Sequence, residues 1–306
     1  MIITEKNDLI KSKVTLDQFH DAFNWKVTKD PLFINGSAEQ WGQAQEVPGF
    51  FATVRENEDG SRAPLGVVKG RYEVIGNQRI LDTVEELLGV GSGEPYDYQV
   101  KNNGARFAFR LLFPKYLTPN VNDKSNFLQL CLSVVGSHDG SSGLTVEISP
   151  ILRYCLNGLL SLGGAHALQS VRHTANADHR LGGLRGLFGS VENEFEQFGV
   201  LLGKLSETKV TRDGITEYVK RVLDVTEPDN EKISARTLNV IGEIETLARR
   251  GRGNDGETLW SAFNGVTEYV DHYRGTDKAR GFDSVAGGGA DLKRRALEEA
   301  LVLIGK

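Results

Sequence analysis

YDYQVKNNGARFAFRLLF, residues 96–113, is the stretch of sequence that decides the fold class. Two runs rich in aromatic and apolar residues flank Asn103-Gly104, and an Asn-Gly pair in that setting is the strongest short-range signal of a β-hairpin. In the second run, apolar side chains alternate with Arg106 and Arg110, which places the arginines on one face of the strand. The stretch predicts an antiparallel hairpin. Its arginine face is either an ordinary solvated surface or a basic surface that meets a phosphate backbone.

Two further hairpins are predicted on either side of this one. The run FFATVRE ends in the turn NEDG, residues 57–60, and APLGVVKGRYEVI follows as the returning strand. Farther along, NFLQLCLSVVGS and GLTVEISPILR bracket turn residues 138–142. Between the first two hairpins, NQRILDTVEELL, residues 77–88, carries apolar residues at helical spacing, and Gly89 is its expected C-cap.

Helical patterns dominate after Pro150. The segment GFDSVAGGGAD, residues 281–291, is expected to be a flexible loop before the last helix, because glycine and small polar residues dominate it. Apolar periodicity and candidate caps predict helices over residues 152–162, 184–206, 213–223, 229–250, 257–273 and 291–304.

Strands followed by helices, rather than alternating with them, indicate an α+β fold. We expect an antiparallel, hairpin-rich sheet in the N-terminal half and a helical C-terminal half. The expected organisation is an N-terminal extension over residues 1–46, a sheet-forming α+β core over 47–186, and a helical region over 187–306 that packs on the core or extends it.

The bulk composition excludes several classes of protein. With 306 residues, 39% of them apolar and 25% charged, the chain has the composition of a soluble globular protein. We expect it in the cytoplasm, because it shows no signal-peptide pattern and no apolar run near the roughly 18 residues that span a bilayer. Cys131 and Cys155 lie in apolar context without zinc spacing and are expected to be buried thiols. The net charge of −5 gives no overall support to nucleic-acid binding, which would need a local groove.

Familiar catalytic and cofactor motifs are absent from the sequence, including GxSxG, HExxH, EF-hand and Walker patterns. Residues 251–256, GRGNDG, match GxGxxG but follow a predicted helix, which favours a helix-to-helix turn over a dinucleotide site. Residues 287–289 are three glycines before a predicted helix, where anions can bind, but they lack the P-loop pattern. The sequence assigns no catalytic residue and no cofactor, and a binding protein is the better expectation than an enzyme.

Histidines concentrate in residues 136–180, which hold four of the six in the chain. Polar or core positions are the simplest interpretation, and two alternatives stay open. A metal-dependent enzyme would use His138, His173 and His179 with Asp139 or Asp178, whose types suit a metal but whose spacing is not diagnostic. A Ser/His/Asp hydrolase would use Ser141, Ser142 or Ser161, although nothing aligns a nucleophile with a base.

An anion site agrees better with the charged residues of this region. Arginines and histidines after Pro150, together with the cations of the central hairpin, supply positive charge, and nearby aromatic rings could stack on bases. The residues expected to contact a phosphate backbone are Lys101, Arg106, Arg110, Arg153, Tyr154, Arg172, His173, His179, Arg180 and Arg185. The candidate stacking residues are Tyr72, Tyr98, Phe107 and Tyr154.

Four strings, taken in order, resemble one family. They are PGFFATVRENEDGSRAPLGVVKGRYEVIGN, SHDGSSGLTVEISPILRYCLNGL, VRHTANADHRL and LWSAFNGVTEYVDHYRG, which begin at residues 48, 137, 171 and 259. Over residues 47–306 the chain resembles the phage/plasmid-like family of domain-of-unknown-function proteins found on bacteriophages, plasmids and integrative elements. The positions that match the family pattern are Arg55, Gly66, Tyr72, Asn77, His138, Asp139, Gly140, Arg153, Cys155, Asn157, Arg172, His173, Asn264, Thr267, Tyr269, His272 and Arg274.

The chain departs from the family pattern at two positions. Leu156 and Gly158 stand where the family's Cys-Gln-Asn-Thr run has Gln and Thr. A role that needs those two polar side chains is therefore not expected here.

The resemblance implies a cytoplasmic protein of a mobile genetic element in a bacterial host. Such elements often carry recombination, single-strand-binding and anti-defence proteins, and the hairpin-then-helix order is also similar to that of Rad52-like single-strand annealing proteins. We therefore expect a single-stranded-DNA-binding or annealing protein that is homo-oligomeric and contacts the phosphate backbone through a basic groove. The alternative is a protein-binding or anti-defence factor whose helical C-terminal half binds a host protein.

Overall fold

The computed structural model describes residues 10–35, 44–118, 127–153, 156–159, 169–177, 181, 184–227, 232–254 and 256–305. The strands are β1 (Lys26–Asn35), β2 (Ala44–Glu56), β3 (Arg62–Lys69), β4 (Glu94–Lys101), β5 (Arg106–Leu117), β6 (Leu128–Ser137), β7 (Leu144–Ile148), β8 (Ile151–Leu152) and β9 (Gln169–Val171). The helices are α1 (Leu16–Phe23), α2 (Asn77–Gly91), α3 (Leu184–Glu207), α4 (Arg212–Val222), α5 (Ala235–Arg250), α6 (Leu259–Glu268), α7 (Asp277–Ala286) and α8 (Gly288–Leu303). The predicted α+β class is confirmed.

The strands form two antiparallel sheets. The smaller has the order β1-β2-β3, and the larger has the order β4-β5-β6-β7-β9, with β8 paired to β6. The three predicted hairpins, β2–β3, β4–β5 and β6–β7, are confirmed. Two elements lie in the expected N-terminal extension. Strand β1 pairs with β2, and helix α1 packs against β4 and α2.

The turn of the central hairpin depends on residues that tolerate a left-handed backbone. Asn103 and Gly104 have φ values of 58° and 104° within a short 3₁₀ turn. A Cβ on Gly104 would lie only 2.3 Å from Cζ2 of Trp25, so the side chain as well as the backbone conformation restricts this position to glycine. The turn thus joins β4 to β5 and also packs against the indole ring that precedes β1.

One face of β5 builds the main core. Phe107 and Phe109 are at most 1% exposed, and their rings lie 4.7 Å and 5.1 Å from the ring centroid of Phe23 in α1. The same cluster of buried apolar residues continues to Ala300 in α8. A single core therefore joins the sheet-forming and helical halves. Phe107, a candidate for base stacking, is buried within it.

The other face of β5 is covered by α7, which corrects one expectation. Phe282 and Val285, three residues apart on α7, pack on Ala108 of β5. Residues 281–291 were expected to form a flexible loop, and instead they contain the end of α7 and the start of α8. Burial of those two apolar side chains against the sheet outweighs the low helix propensity of the glycine-rich segment.

The predicted helix over residues 152–162 is wrong in the part that the structure describes. Leu152 belongs to β8, and Gly158 forms a β-bridge with Ile151. Leu156 has a φ of 56°, a left-handed conformation that a right-handed helix cannot contain. The chain therefore doubles back on itself here, and its last described residue in this segment, Leu159, is buried.

Other helix boundaries differ by a few residues from expectation. Helix α2 continues past the expected C-cap Gly89 to Gly91, and Ser92 ends it in the left-handed conformation with a φ of 51°. Helix α5 begins at Ala235, capped by Ser234, rather than at residue 229. The helix predicted over residues 257–273 is α6 followed by a π-helical turn, Tyr269–Tyr273. Across the described residues, no helix combines the length and apolar character needed to cross a membrane.

Candidate anion-binding site

Two of the residues predicted to contact phosphate meet at the end of the central hairpin. Lys101 and Arg106 are cross-strand partners on β4 and β5. The Lys101 ammonium lies 5.1 Å from the centroid of the Phe282 ring, and Nε of Arg106 donates a hydrogen bond of 2.7 Å to Oδ2 of Asp139. Both side chains reach the surface, with Arg106 the more exposed.

Arg110 lies inside the protein instead. Its guanidinium forms a bidentate ion pair with Asp97, with Nε 2.7 Å from Oδ1, and lies 4.9 Å from the Tyr96 ring centroid. Burial alone would lower the pKa of Arg110, but the Asp97 carboxylate outweighs burial and raises it. Because Asp97 neutralises this charge, the arginine face of the hairpin is not a continuous basic surface.

The cysteine in this neighbourhood is a buried thiol, as expected. Cys131 is fully buried, and burial raises the pKa of its thiol to about 12, which Arg110 partly opposes. A thiol with so high a pKa is unreactive at neutral pH. Cys155 lies outside the described residues.

The rest of the predicted groove is only partly described. Arg153 is half-buried, and its guanidinium lies 5.2 Å from the Phe127 ring centroid. Arg172 is exposed beside the buried His173. Tyr154, His179 and Arg180 lie outside the described residues, and Arg185 lies in α3 but its side chain is not described. A groove shared by these residues stays a prediction.

Several matching positions from the first three strings converge around His138. This side chain is fully buried, and its Nε2 lies 2.8 Å from Oδ1 of Asn77. Since Nδ2 of Asn77 donates to the carbonyl oxygens of Phe23 and Trp25, its Oδ1 must accept, and the proton is on Nε2 of His138. Burial lowers the pKa of His138 to about 3, with a further lowering from His173, so the ring is neutral at physiological pH.

His173 is the second neutral imidazole of this cluster. Its ring stacks on Tyr72 with centroids 4.5 Å apart, and its Nδ1 lies 3.2 Å from the carbonyl oxygen of Glu73. Burial lowers the pKa of His173. Burial also raises the pKa of the Tyr72 hydroxyl, and the negative charge of Asp139 raises it further. Among the described residues, no three His, Cys, Asp or Glu side chains are grouped so that they could hold a metal ion. The metal-dependent enzyme stays an untested alternative.

The matching positions from the fourth string form a second cluster, which joins the loop after β8 to α6 and the π-helical turn. Nδ2 of Asn157 lies 3.1 Å from Oδ1 of Asn264, and Oδ1 of Asn157 lies 2.9 Å from Nε2 of His272. Thr267 donates from Oγ1 to the carbonyl oxygen of Asn264 at 2.9 Å. π-Helical turns are rare and often mark functional sites.

A buried lysine holds this second cluster against α7 and α8. Lys293 is 2% exposed, and its Nζ donates to Oδ1 of Asp271 at 2.5 Å, to the carbonyl oxygen of Gly158 at 2.8 Å and to that of Ser284 at 3.2 Å. The N–H of Gly158 donates to the other oxygen of Asp271 at 2.8 Å. All three protons of the ammonium therefore form hydrogen bonds. Gly158, which stands where the family pattern has Thr, contributes its backbone N–H and carbonyl groups to the cluster.

A cavity of about 470 Å³ opens beside this cluster. We call it the cationic pocket, because its described lining contains four cationic side chains and one acidic side chain, a formal net charge of +3. The cations come from β4, the first turn of α5, the segment after the π-helical turn, and α7. The charged lining residues are Lys101, Arg236, Arg274, Arg280 and Asp283.

Backbone and side-chain contacts fix two of these arginines. Nε of Arg274 donates to Oδ2 of Asp283 at 3.0 Å. Nε of Arg280 donates to the carbonyl oxygen of Arg274 at 3.0 Å, and its Nη2 donates to that of Gly275 at 3.2 Å. Arg236 is exposed at the pocket rim. The pocket lining thus combines two arginines held by hydrogen bonds with one exposed arginine, Arg236.

Two helix N-termini also lie at the cationic pocket. Helix α5 contributes Arg236 and Thr237 from its first turn, and α7 follows Gly275 and its N-cap Thr276. The partial positive charge of a helix N-terminus favours an anion. The side chain of Thr276 makes no capping hydrogen bond to the described backbone.

Tyr269 adds a hydroxyl group to the lining of the cationic pocket. Burial raises the pKa of Tyr269 above its usual value, Glu243 raises it further, and Arg274 and Arg236 lower it. The hydroxyl is therefore protonated at neutral pH and can donate a hydrogen bond to an anion.

The three glycines at 287–289 do not form a phosphate cradle of their own. A Cβ on Gly287 would lie 2.7 Å from Oδ1 of Asp283, and one on Gly289 would lie 2.8 Å from Oδ2. The protein's own carboxylate therefore occupies the space at the start of α8.

Sequence reasoning identified Lys101 and missed the other cations of the pocket. Helices α5 and α6 separate Arg236 from Arg274 and Arg280 along the chain, and none of the three lies in a continuous basic run. Arg274 was noted only as a matching position of the family resemblance. Arg280 directly precedes residues 281–291, which were expected to form a loop, so the sequence did not predict helix α7, in which Arg280 lies.

The fold and the site define an α+β protein whose larger sheet has helices on both faces and whose helical half carries a cationic pocket at the hairpin end. The chain belongs to the family described as Domain of unknown function (DUF932), whose family model matches residues 64–296. That range contains every matching position except Arg55, and every charged residue of the described lining of the cationic pocket. No curated protein and no solved structure matches the chain.

Proposed function

We propose that this protein binds single-stranded DNA and that the cationic pocket contacts the phosphate backbone. The observation that carries this proposal is the convergence of Lys101, Arg236, Arg274 and Arg280 on one cavity of about 470 Å³. Phosphate contacts from Lys and Arg supply most of the affinity of nonspecific nucleic-acid binding. A chain with a net charge of −5 can bind a polyanion only where its cations are concentrated in this way.

A single strand suits this pocket better than a duplex. Duplex DNA is stiff over about 150 base pairs, so its backbone cannot turn into a pocket of this size, whereas a single strand can bend into it. Tyr273, next to Arg274 in the chain, is 49% exposed and offers a ring on which a base can stack. On the other side of α7, Arg106 and Arg294 line a second cavity, but Arg106 is paired with Asp139 and Arg294 with Glu147 and Asp291, so this cavity adds little net positive charge.

The wider context of the proposal is strand annealing in a mobile genetic element. Its support is the resemblance of the four strings to proteins of phages and plasmids, together with the hairpin-then-helix order. A homo-oligomer would place several pockets along one strand, as annealing requires. This context is separate from DNA binding by the pocket, and its test is whether the protein accelerates pairing of complementary oligonucleotides.

Fluorescence anisotropy with a 3′-labelled oligonucleotide that carries a 5′-hydroxyl tests DNA binding. We expect Arg236→Ala to weaken binding about tenfold at low salt, equivalent to about 1.4 kcal/mol. The slope of log K against log salt should fall in magnitude by about 0.7, because one phosphate contact is lost from a single strand. Since Arg236 is exposed in the first turn of α5, its removal should leave the fold intact.

Arg212→Ala is the matched control. Arg212 is also exposed in the first turn of a helix, α4, and the pocket residue Leu223 lies just past the other end of that helix, about 16 Å away. This variant should bind like the wild type. Arg172→Ala tests the groove predicted from sequence: weakening by Arg172→Ala with no effect of Arg236→Ala would move the interface there.

The absence of salt-sensitive binding to single strands would refute the proposal. The protein-binding or anti-defence factor would then become the better explanation, and a pull-down from host lysate with the full chain would be the next experiment.

A further inference from the structure

We propose that the outward face of the smaller sheet, β1-β2-β3, binds a second copy of this chain, so that the protein forms a two-fold symmetric dimer. This inference supplies an interface for the homo-oligomer of the proposed function, but it does not depend on DNA binding. Exposed apolar side chains, the alternation of residues along the strands and two charges without a partner in the described chain support it.

One face of the smaller sheet packs on the body of the protein, and the other points away from it. On β3, a Cβ on Gly66 would lie 2.5 Å from Cα of Asp139, and Val68, two residues farther along, is buried. Since successive residues of a strand point to opposite faces, Val67 points away from the body. Its side chain is 54% exposed, which agrees with an outward position.

Phe50 lies on the same outward face as Val67. Val67 is the cross-strand partner of Ala52, and Phe50 comes two residues before Ala52 on β2. Residues two apart share a face of a strand, so Phe50 and Val67 are diagonal neighbours whose side chains can reach each other. Phe50 is 40% exposed, and together these side chains form an apolar patch on the outward face.

The apolar surface continues towards the end of β1. Phe33 and Ile34 are 54% and 55% exposed, although they are consecutive and therefore point to opposite faces. One of the two lies on the outward face, whichever way the register shift after Pro31 turns the strand. A two-stranded ribbon that is exposed on both faces gains little stability from its own chain. Contiguous exposed apolar surface of this kind marks an interaction site.

Two charges at the same end of the sheet favour a second copy over another kind of partner. Lys69 is the cross-strand partner of Phe50, and Glu46 is that of Phe33. Both residues are exposed, and neither side chain forms an ion pair or a hydrogen bond with another described residue. A cation and an anion beside one apolar patch make the patch complementary to itself, because a two-fold axis can bring Lys69 of each copy to the partner's Glu46. A nucleic acid would be attracted by Lys69 and repelled by Glu46.

The size of the outward face predicts a weak dimer. Three strands about 4.8 Å apart, of which β3 is eight residues long, cover roughly 380 Å². Two copies therefore bury about 800 Å² in total, which is less than the roughly 1,200 Å² at the lower limit of a standard interface. We expect an affinity in the micromolar range or weaker, so the dimer should form only as the protein concentration rises.

Sedimentation velocity of the full chain without DNA tests this inference. The weight-average sedimentation coefficient should rise towards that of a dimer between about 1 and 100 μM. Val67→Glu places a charge within the apolar patch and should keep the protein monomeric over the whole range. Val200→Glu is the matched control, because Val200 is 64% exposed in α3, and this variant should dimerise like the wild type. Since both valines are exposed, the far-UV circular dichroism of both variants should match that of the wild type.

A charge exchange tests whether Lys69 pairs with the partner's Glu46. Lys69→Glu and Glu46→Lys should each weaken dimerisation about threefold or more, because each substitution places like charges together at two symmetric positions. The variant with both substitutions restores opposite charges and should dimerise like the wild type. A double variant that dimerises no better than either single variant would overturn the two-fold pairing.

The remaining outcomes separate this inference from the proposed function. A wild-type protein that stays monomeric at the highest concentration would overturn the dimer, and so would a Val67→Glu protein that still dimerises. If the wild type stays monomeric and Val67→Glu weakens DNA binding, the outward face is a stacking surface for bases instead. Absence of DNA binding in the anisotropy assay would refute the proposed function and leave the dimer in place, because sedimentation is measured without DNA.

Discussion

Replacing Lys293 by methionine removes the only side-chain cation that the described residues place on Asp271, and we expect the free energy of unfolding to fall by about 3–5 kcal/mol. The ammonium is 2% exposed and donates to three acceptors, and the Asp271 side chain is 10% exposed. After the substitution, Asp271 keeps the N–H of Gly158, while the carbonyl oxygens of Gly158 and Ser284 lose a donor. Each buried polar group left without a partner costs about 1–3 kcal/mol. Methionine has a similar length, so the cavity contribution is small.

A second substitution separates the loss of charge from the loss of packing. Adding Asp271→Asn to Lys293→Met removes the uncompensated carboxylate and retains an oxygen for the N–H of Gly158. We expect the double variant to recover roughly 1–3 kcal/mol relative to Lys293→Met alone. If packing alone were responsible, the second substitution would add to the loss.

Urea denaturation followed by tryptophan fluorescence and by far-UV circular dichroism measures these changes, and coincident curves are required for a two-state analysis. Lys204→Met is the matched control, because Lys204 is exposed in the last turn of α3 and its loss should change stability by at most about 0.5 kcal/mol. A Lys293→Met protein within about 1 kcal/mol of the wild type would refute the reasoning that this buried ion pair stabilises the fold.

Three further predictions concern stability, each read out by the same denaturation assay. Gly66→Ala should destabilise by about 1–3 kcal/mol, because its Cβ would lie 2.5 Å from Cα of Asp139, whereas Gly203→Ala in α3 meets nothing within 4 Å and should be neutral or stabilising. Burial lowers the pKa of His138 from 6.5 to about 3, so between these two pH values the unfolded chain binds a proton that the folded chain does not. The free energy of unfolding should therefore be unaffected by this group above pH 6.5 and should fall as the pH is lowered towards 3, by roughly 5 kcal/mol in total. His138→Asn should flatten the fall in stability over that range, and an unchanged pH profile would contradict the assignment. Phe282→Ala should cost about 3 kcal/mol by releasing α7 from the sheet, and its circular dichroism should show less helix if α7 depends on that contact.

Turn residues close together in the sequence predicted the hairpins. The segments whose secondary structure was predicted wrongly are those that depend on packing against residues far away in the sequence. Asn-Gly and Asp-Gly specify their turns within four residues, so β4–β5 and β2–β3 could be predicted without the rest of the chain. Helix α7 could not, because Phe282 packs on Ala108, a residue more than 170 positions earlier. The segment that begins at Leu152 has apolar residues at helical spacing, but pairing of β8 with β6, the bridge between Ile151 and Gly158 and the left-handed Leu156 make the chain turn back instead of forming a helix.

The candidate site was harder to predict for a related reason. A basic cluster that is continuous in sequence can be recognised from composition, whereas Lys101 and Arg280 are brought together only when α7 packs on the sheet. Alternation of side chains correctly placed Arg106 and Arg110 on one face of β5. It could not show that α7 covers part of that face or that Asp97 neutralises Arg110.

The negative charge of the whole protein and the positive charge of the pocket act over different distances. At physiological ionic strength the Debye length is about 8 Å, so acidic side chains farther away than that are largely screened from a phosphate in the pocket, while its own cations are not. The chain's net charge of −5 therefore does not prevent anion binding there, but it does remove long-range attraction. Under the proposed function, association with DNA should be slower than for a basic protein. Lowering the salt concentration should strengthen both the attraction between the phosphate and the pocket and the repulsion between the DNA and the rest of the acidic surface. A rate of association that rises less steeply than the affinity as salt is reduced would be the kinetic signature of a local cationic pocket on an acidic protein.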